Sequence, residues 1–462
     1  MKQKPRTTRC PLGADRLPLL AIAFCAAVIA GCATVPPGQE PSSREAVSKI
    51  NHVVVIYLEN RSFDNLYGEL PGADGIIGLA PDRYQQIDST GRPYSVLPQA
   101  ADSHLPANLP NAPFAIEQFI PSNAPTRDLV HRFYQEQAQI NGGRMNRFVV
   151  VSDAQGLTMG HYHTAALPLA TEARNYTIAD HFFHGAFGGS YFNHMYFVSA
   201  TAPVFANAPA AMRAQIDSGG RVVLDGTVTP DGYVVNTAFT VNTPHPATWP
   251  REQLVPNQTM PTIGDRLSDK GTSWAWYSGG WDDAVAGRPS PFFQYHHQPF
   301  AYFAKYADGT PGRAEHLKDE KEFLAAARAG TLPAVSFVKP LGDANEHPGY
   351  TDLMSGELHA LTLINAVRNG PNWNDAAIIV TYDENGGFWD HVAPPKGDRW
   401  GPGSRIPAII ISPYAKRGFI DHTPYNTASI LAFLEHRFGL TPLGTRDATA
   451  NDLSLAFSAA GH

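Results

Sequence analysis

The chain has 462 residues, 43% hydrophobic and 17% charged, an ordinary globular composition with length for one large domain or two modest ones. A core of that size needs no disulfide or structural metal to fold. The formal charge of −7 gives no general electrostatic reason to bind nucleic acid or an anionic membrane, so any phosphate affinity must come from a local site.

The first segment reads as an export signal. Lys2, Lys4, Arg6, Arg9 and Arg16 precede an apolar run from Leu17 to Ala30, too short to span a bilayer comfortably and ending in small residues. Ile29-Ala30-Gly31-Cys32 matches the bacterial lipobox; an uncut anchor or a buried apolar helix are the alternatives. The expectation is a signal peptide over 1–31, lipidated Cys32 with a tether over 32–48, and an exported lipoprotein held on the periplasmic side or cell surface. Five basic groups and one acidic group lie in 1–31, so the processed chain would carry −11. Cys10, Cys25 and Cys32 are the three cysteines, so the processed domain has no cysteine nucleophile and no Cys/His zinc site.

A β-branched run, His52–Leu58, predicts a buried parallel strand and leads at once into Glu59-Asn60-Arg61-Ser62-Phe63-Asp64. Residues 71–125, rich in Pro and Asn, read as a long surface excursion. Helical patterns cover Asp128–Ile140, Lys318–Ala329, Ser355–Asn369 and Thr427–Phe438. Residues 204–260 read as an irregular insertion with short strands at Arg221–Leu224 and Tyr233–Val235. Ala334–Val338, Ala376–Tyr382 and Ile406–Ser412 read as further buried strands, the second running into Asp383-Glu384-Asn385-Gly386-Gly387. Strands alternating with helices predict an α/β domain over 49–445 with a mostly parallel central sheet flanked by helices. Residues 446–462 read as a loosely held tail.

Ligands in open α/β sheets bind beyond the carboxyl ends of the strands. If Glu59-Asn60 and Asp383-Glu384 end neighbouring strands, three carboxylates and an amide oxygen converge, which is costly unless a cation sits among them. Oxygen donors suit one hard divalent ion of the Ca²⁺, Mg²⁺ or Mn²⁺ kind. Taken singly, each acidic turn could equally be a solvated loop or a helix cap. In Asp180-His-Phe-Phe-His-Gly-Ala-Phe-Gly-Gly-Ser-Tyr-Phe-Asn-His194, two glycines free the backbone before Ser190, whose hydroxyl could become a metal-activated nucleophile. A plain turn is the competing reading, and the pattern is not a Gly-x-Ser-x-Gly elbow. His104, His296, His297 and His347 lie in turn-rich settings where imidazoles could meet phosphate oxygens or protonate a leaving alkoxide.

The stretch His-Val-Val-Val-Ile-Tyr-Leu-Glu-Asn-Arg-Ser-Phe-Asp-Asn-Leu-Tyr-Gly over 52–68 resembles the opening block of the bacterial phosphoesterase family that contains phospholipases C and acid phosphatases. Ile379-Val-Thr-Tyr-Asp-Glu-Asn-Gly-Gly-Phe-Trp-Asp-His-Val-Ala-Pro-Pro395 resembles its closing block, with Ser190-Tyr-Phe-Asn193 and Glu346-His-Pro348 between them in order. The resemblance implies an alkaline-phosphatase-like fold, a divalent metal on Glu59, Asn60, Asp383 and Glu384 facing Ser190, and phosphate contacts from His104, His296, His297 and His347. Serine rather than threonine at 190, the early end of the chain and a leader without twin arginine favour the acid phosphatase branch over phospholipase C. A lipoprotein that binds phosphorylated ligands without turnover is the remote third reading.

The expected substrate is a small phosphate ester or a phospholipid. The expected course is attack by Ser190, a phosphoserine intermediate, protonation of the leaving alcohol by His347 or else His297, and release by water. Protonated histidines would bind a phosphate dianion best below about pH 6.5.

Overall fold

The computed structural model describes residues 41–99 and 102–459. The expected signal peptide, Cys32 and most of the tether lie outside these residues. Among the described residues no helix is long and apolar enough to cross a membrane.

An eight-stranded sheet organises the chain. In chain order its strands are β1 (His52–Leu58), β2 (Thr177–Ala179), β3 (Trp274–Ser278), β4 (Leu317–Asp319), β5 (Val335–Lys339), β6 (Ala376–Tyr382), β7 (Ala408–Ile411) and β8 (Phe419–Asp421). Across the sheet they lie in the order β8-β2-β7-β6-β1-β5-β3-β4. All run parallel except β7, which is antiparallel to both β6 and β2. The fold is therefore α/β with a mostly parallel sheet. The run Ile406–Ser412, read as a further buried strand, holds the reversed β7: the link from the end of β6 carries no crossover helix, so the chain re-enters the sheet from the same end and runs backwards.

β1 sits at the centre, with Val53 to Leu58 fully buried between β5 and β6, and β6 is equally buried. Burial on both faces explains why these strands read as unbroken apolar runs. The principal helices are α1 (Phe63–Tyr67), α2 (Phe133–Ile140), α3 (Ser190–Ser199), α4 (Glu320–Ala329), α5 (Leu353–Arg368) and α6 (Thr427–Phe438). α4 carries a capping box from Asp319 and Glu322, and α6 one from Asn426 and Ser429.

Three local expectations need correction. The pattern over Asp128–Ile140 becomes helical only from Phe133, because residues up to Arg132 stay extended and the Phe133 N–H bonds to the Asn236 side chain at 3.2 Å. Residues 41–48 of the expected tether form a helix whose Ala46 and Val47 are buried and whose Ser43 hydroxyl donates to the Phe457 carbonyl at 2.9 Å. The expected loose tail is likewise docked: Leu453, Ala456 and Phe457 are buried, and Phe457 stacks on Phe433 of α6 at 5.4 Å between ring centroids. In the insertion, Val222–Leu224 pairs with Gln215–Ile216, whereas Tyr233–Val235 makes only isolated bridges.

Candidate active site

Because β1 and β6 are parallel neighbours in register, with Leu58 opposite Tyr382, the residues that follow them emerge side by side. Oxygens of Glu59, Asp383 and Glu384 lie within 4.8 Å of one another, and all three residues are buried. Asn60 adopts a left-handed conformation (φ 64°), one that asparagine tolerates better than most residues. Its N–H donates to Asp383 Oδ1 at 3.2 Å, as does the Glu384 N–H at 2.9 Å. The other carboxylate oxygens, Asp383 Oδ2 and Glu384 Oε1, are buried and have no hydrogen-bond partner among the described residues.

One cation of the chain itself reaches this cluster. Lys339, the last residue of β5 and fully buried, places Nζ 2.5 Å from Glu59 Oε1 and donates to the Leu58 carbonyl at 3.2 Å. Burial would raise the Glu59 carboxyl, but Lys339 together with His297 and His347 outweighs it and holds the group well below its usual 4.5. No such partner serves the other two. Burial and then Glu59 push Asp383 up to about 8, and burial and then Asp383 push Glu384 well above its ordinary value.

With all three carboxylates ionised, the one ammonium would leave two negative charges over. Two buried oxygens without partners and that excess suit a single divalent ion bound by oxygen, so the residues fit the expected metal.

Ser190 enters from the other side. It is the first residue of α3, not part of a free loop: the turn before it ends in a helix capped by Gly189. Its Oγ donates to Glu59 Oε2 at 2.9 Å and lies 3.4 Å from Asn60 Oδ1. A hydroxyl at a helix start sits where the peptide dipoles favour an approaching anion.

The turn is fixed from behind. Gly188 has φ +91°, and a Cβ there would stand 2.5 Å from the Phe133 nitrogen, so no other residue fits. The Gly188 N–H donates to Glu136 Oε2 at 2.5 Å, and Asn193 Nδ2 donates to the Gly188 and Gly189 carbonyls. Glu136, buried on α2, also accepts from the Ser404 hydroxyl and from His184 Nε2, each at 2.8 Å.

Burial works against both members of the Glu136–His184 pair. Their mutual attraction wins, lowering the Glu136 carboxyl below 4.5 and raising the His184 imidazole above 6.5. The Glu136 contribution is present above pH 4.5 and lost as pH falls through its lower folded value. The His184 contribution is full below pH 6.5 and lost as pH rises through its higher folded value. The pair therefore supports the turn most between about pH 4.5 and 6.5. We expect Glu136→Ala to cost about 3–5 kcal/mol in denaturant unfolding at pH 5.5, and less at pH 9. An equal cost at both pH values would contradict this account.

Four imidazoles border a cavity of about 510 Å³ above the carboxylates: His131, His296, His297 and His347. His347 Nδ1 lies 2.6 Å from the Pro348 carbonyl and its Nε2 lies 3.1 Å from Asn60 Nδ2. His297 Nε2 stands 2.8 Å from Glu59 Oε1. Burial lowers His347, lowers His296 well below its usual value, and brings His297 down to about 4. The expectation of imidazolium cations just below pH 6.5 does not hold for these three. Burial, not a neighbouring acid, sets their charge.

The structure thus brings together Glu59, Asn60, Ser190, Asp383, Glu384, His296, His297 and His347. It does not bring His104, whose side chain is 68% exposed on a loop, 2.8 Å from Asp102, and which does not border the cavity. His131, not singled out in the sequence, borders the cavity instead, with Nε2 3.4 Å from Asn60 Nδ2 and 3.7 Å from Glu384 Oε1. Nor does the excursion 71–125 shape the cavity; residues 127–132 do, with Asn236 and Thr237 of the insertion.

Sequence reasoning missed His131, Lys339 and His194. His131 lay inside a pattern read as helix, and nothing local marks it. Lys339 did leave a signal, a charged residue ending an apolar run. His194, fully buried one helical turn after Ser190, donates from Nδ1 to the Ser190 carbonyl (2.7 Å) and stacks on His297 with centroids 5.2 Å apart. The Asp390-His391 part of the closing block serves architecture. Arg405 pairs with Asp390 at 3.0 Å and with Asp64 at 2.8 Å, and His391 Nδ1 lies 2.7 Å from Asp64.

The profile of the phosphoesterase family matches residues 50–441. The chain is 25% identical to phospholipase C A of Mycobacterium tuberculosis strain H37Rv, over 89% of this chain and 78% of that protein. It is 25% identical to the non-hemolytic phospholipase C of Pseudomonas aeruginosa, over 92% and 61% respectively. With non-specific phospholipase C6 of Arabidopsis thaliana the identity is 24%, over 88% and 72%. A solved protein of the alkaline phosphatase superfamily from Vibrio parahaemolyticus aligns with a TM-score of 0.34 and 12% identity, over 71% of this chain and 73% of that one. With its opening and closing blocks joined around one cluster of carboxylates and a serine, the chain belongs to the phosphoesterase family and is a hydrolase of phosphoric esters.

Proposed function

We propose that the chain is a metal-dependent phosphodiesterase of the phospholipase C kind that uses Ser190 as its nucleophile. The observation that carries this reading is the meeting of the Ser190 hydroxyl with Glu59 at 2.9 Å, beside two buried carboxylates that have an oxygen to spare. The similar proteins named above are phospholipases C, which supports a diester. The electrostatics agree. A phosphate dianion calls for surplus positive charge, whereas burial keeps His296, His297 and His347 neutral near pH 7, which suits a singly charged diester better. The acid phosphatase reading rests on serine rather than threonine at position 190.

A divalent ion at Glu59, Asn60, Asp383 and Glu384 would lower the proton affinity of the Ser190 hydroxyl and offset charge on the phosphoryl group. The chain supplies the rest. Glu59 accepts the hydroxyl proton and fixes the direction of Oγ, which borders the cavity. The start of α3 stabilises negative charge on the phosphoryl oxygens. His347, whose Nδ1–H donates to the Pro348 carbonyl, is neutral at rest with Nε2 unprotonated; it takes up a proton there from solvent in the cavity and gives it to the departing oxygen. Water then attacks the phosphoryl-serine ester and the site resets.

The test is turnover of p-nitrophenyl phosphorylcholine against p-nitrophenyl phosphate after chelation and return of Mg²⁺, Ca²⁺ or Mn²⁺ singly. We expect the diester to be preferred and chelation to abolish activity; preference for the monoester would move the assignment to acid phosphatase. Stability adds a second measurement. An acid raised from 3.8 to about 8, as Asp383 is, costs the metal-free fold increasingly as pH climbs between those values. The rise in melting temperature on adding the ion should be larger at pH 8 than at pH 5.

A further inference from the structure

The residue before His347 is held in an unfavourable conformation by surroundings that include Arg61, Tyr382 and Gly356, none of which has a direct part in the chemistry. Glu346 has φ +77°, left-handed backbone at a residue with a full side chain. It is fully buried, and its Oε1 has no hydrogen-bond partner. A residue with two local penalties beside a cavity histidine is what a positional demand leaves behind.

The contacts show what the demand is. The Tyr382 hydroxyl, at the end of β6, donates to Glu346 Oε2 at 2.9 Å. Arg61 donates to the Glu346 carbonyl at 2.7 Å, and the Glu59 N–H donates to the Asn345 carbonyl at 2.9 Å. Asn345 in turn accepts the His347 N–H through Oδ1 at 3.1 Å. The segment 345–347 is thereby stitched to the ends of both strands that carry the carboxylates.

Room for it comes from α5. A Cβ on Gly356 would stand 2.3 Å from Glu346 Cγ and 2.6 Å from its nitrogen, so only glycine leaves the notch in which Glu346 sits.

We propose that Glu346 is a positioning residue: its carboxyl, gripped by Tyr382 and seated in the notch at Gly356, aims the His347 ring at the departing oxygen. This rests on the reading of His347 as the acid. The aim matters most when the departing group is a poor one. A p-nitrophenolate leaves with little help, whereas an alkoxide must receive a proton as it goes.

The experiment measures kcat and KM of the full chain on an aryl and an alkyl ester, p-nitrophenyl phosphorylcholine and a short-chain monomeric phosphatidylcholine. For a monoesterase the pair becomes p-nitrophenyl and butyl phosphate. Glu346→Ala should lower kcat on the alkyl ester by about 100-fold and on the aryl ester by less than about fivefold, with KM little changed. Glu346→Gln keeps an oxygen for the Tyr382 hydroxyl and should recover most of the loss. Gly356→Ala, which fills the notch, should reproduce the alkyl-selective loss.

The aryl-to-alkyl ratio belongs to the folded fraction alone, so partial unfolding of a variant cancels out of it. Equal losses on both esters would overturn the proposal and leave Glu346 a purely structural residue. His347→Ala, measured beside these, separates the two levels. Leaving-group dependence there without it in Glu346→Ala refutes the positioning role alone. Its absence in His347→Ala refutes the acid reading and the positioning role with it.

Discussion

Lys339→Met should destabilise the metal-free chain by about 3–5 kcal/mol, the typical cost of removing one partner from a fully buried ion pair. Glu59 would then sit with Asp383 and Glu384 in a buried cluster with no cation of the chain's own beside it. The pH dependence follows from the shift. In the native chain Glu59 is depressed below 4.5, so its favourable contribution exists above that value and fades as pH falls through its folded value. In the variant the carboxyl is raised, so its penalty grows as pH rises above 4.5. The gap between the two proteins should be widest at pH 7–9, should narrow as pH falls below 4.5, and should close only as pH passes below the folded value of Glu59, as read by urea unfolding. Saturating divalent ion should narrow it at neutral pH by supplying the missing positive charge. A gap independent of both pH and metal would mean that Lys339 is packing and nothing more.

Ser190→Ala should reduce kcat by at least about 10⁴-fold while changing stability by no more than about 2 kcal/mol, since a single hydrogen bond to Glu59 is lost. Ser190→Thr sharpens the test. It keeps a hydroxyl at the start of α3 and should retain turnover that alanine loses, even though its added methyl crowds a buried position. Rapid-quench kinetics should show a burst of p-nitrophenol from the native chain and none from the alanine variant. Alanine turning over within tenfold of the native rate would remove the nucleophile from the mechanism.

The sheet was legible wherever burial on both faces wrote a long apolar run, as in β1 and β6, whose acidic ends then located the carboxylates. Shorter strands escaped. Thr177–Ala179 is three residues and carries no period, and Trp274–Ser278 is mostly aromatic, without the β-branched run that marks β1 and β6, yet wholly buried. Direction was not legible either, because β7 is as apolar as the parallel strands β1 and β6 and only the absence of a crossover helix turns it round. Within the site, groups adjacent to a strand end announced themselves, whereas His131 arrives from a segment whose neighbours in space are far away in sequence. His104 shows the reverse error. A histidine among polar turn residues looks like a ligand, yet Asp102 two positions before it already satisfies the ring.

The central place of β1 has a consequence for biosynthesis. The first strand to be made can find neither neighbour until residues 335–339 and 376–382 have been translated. Asn60 and Asp383, joined by one hydrogen bond, are 323 positions apart. Nucleation must therefore close very long loops, a topology that assembles slowly and leaves hydrophobic strands without partners for most of elongation. Until both neighbours exist, His52–Leu58 has no strand in the sheet to pair with.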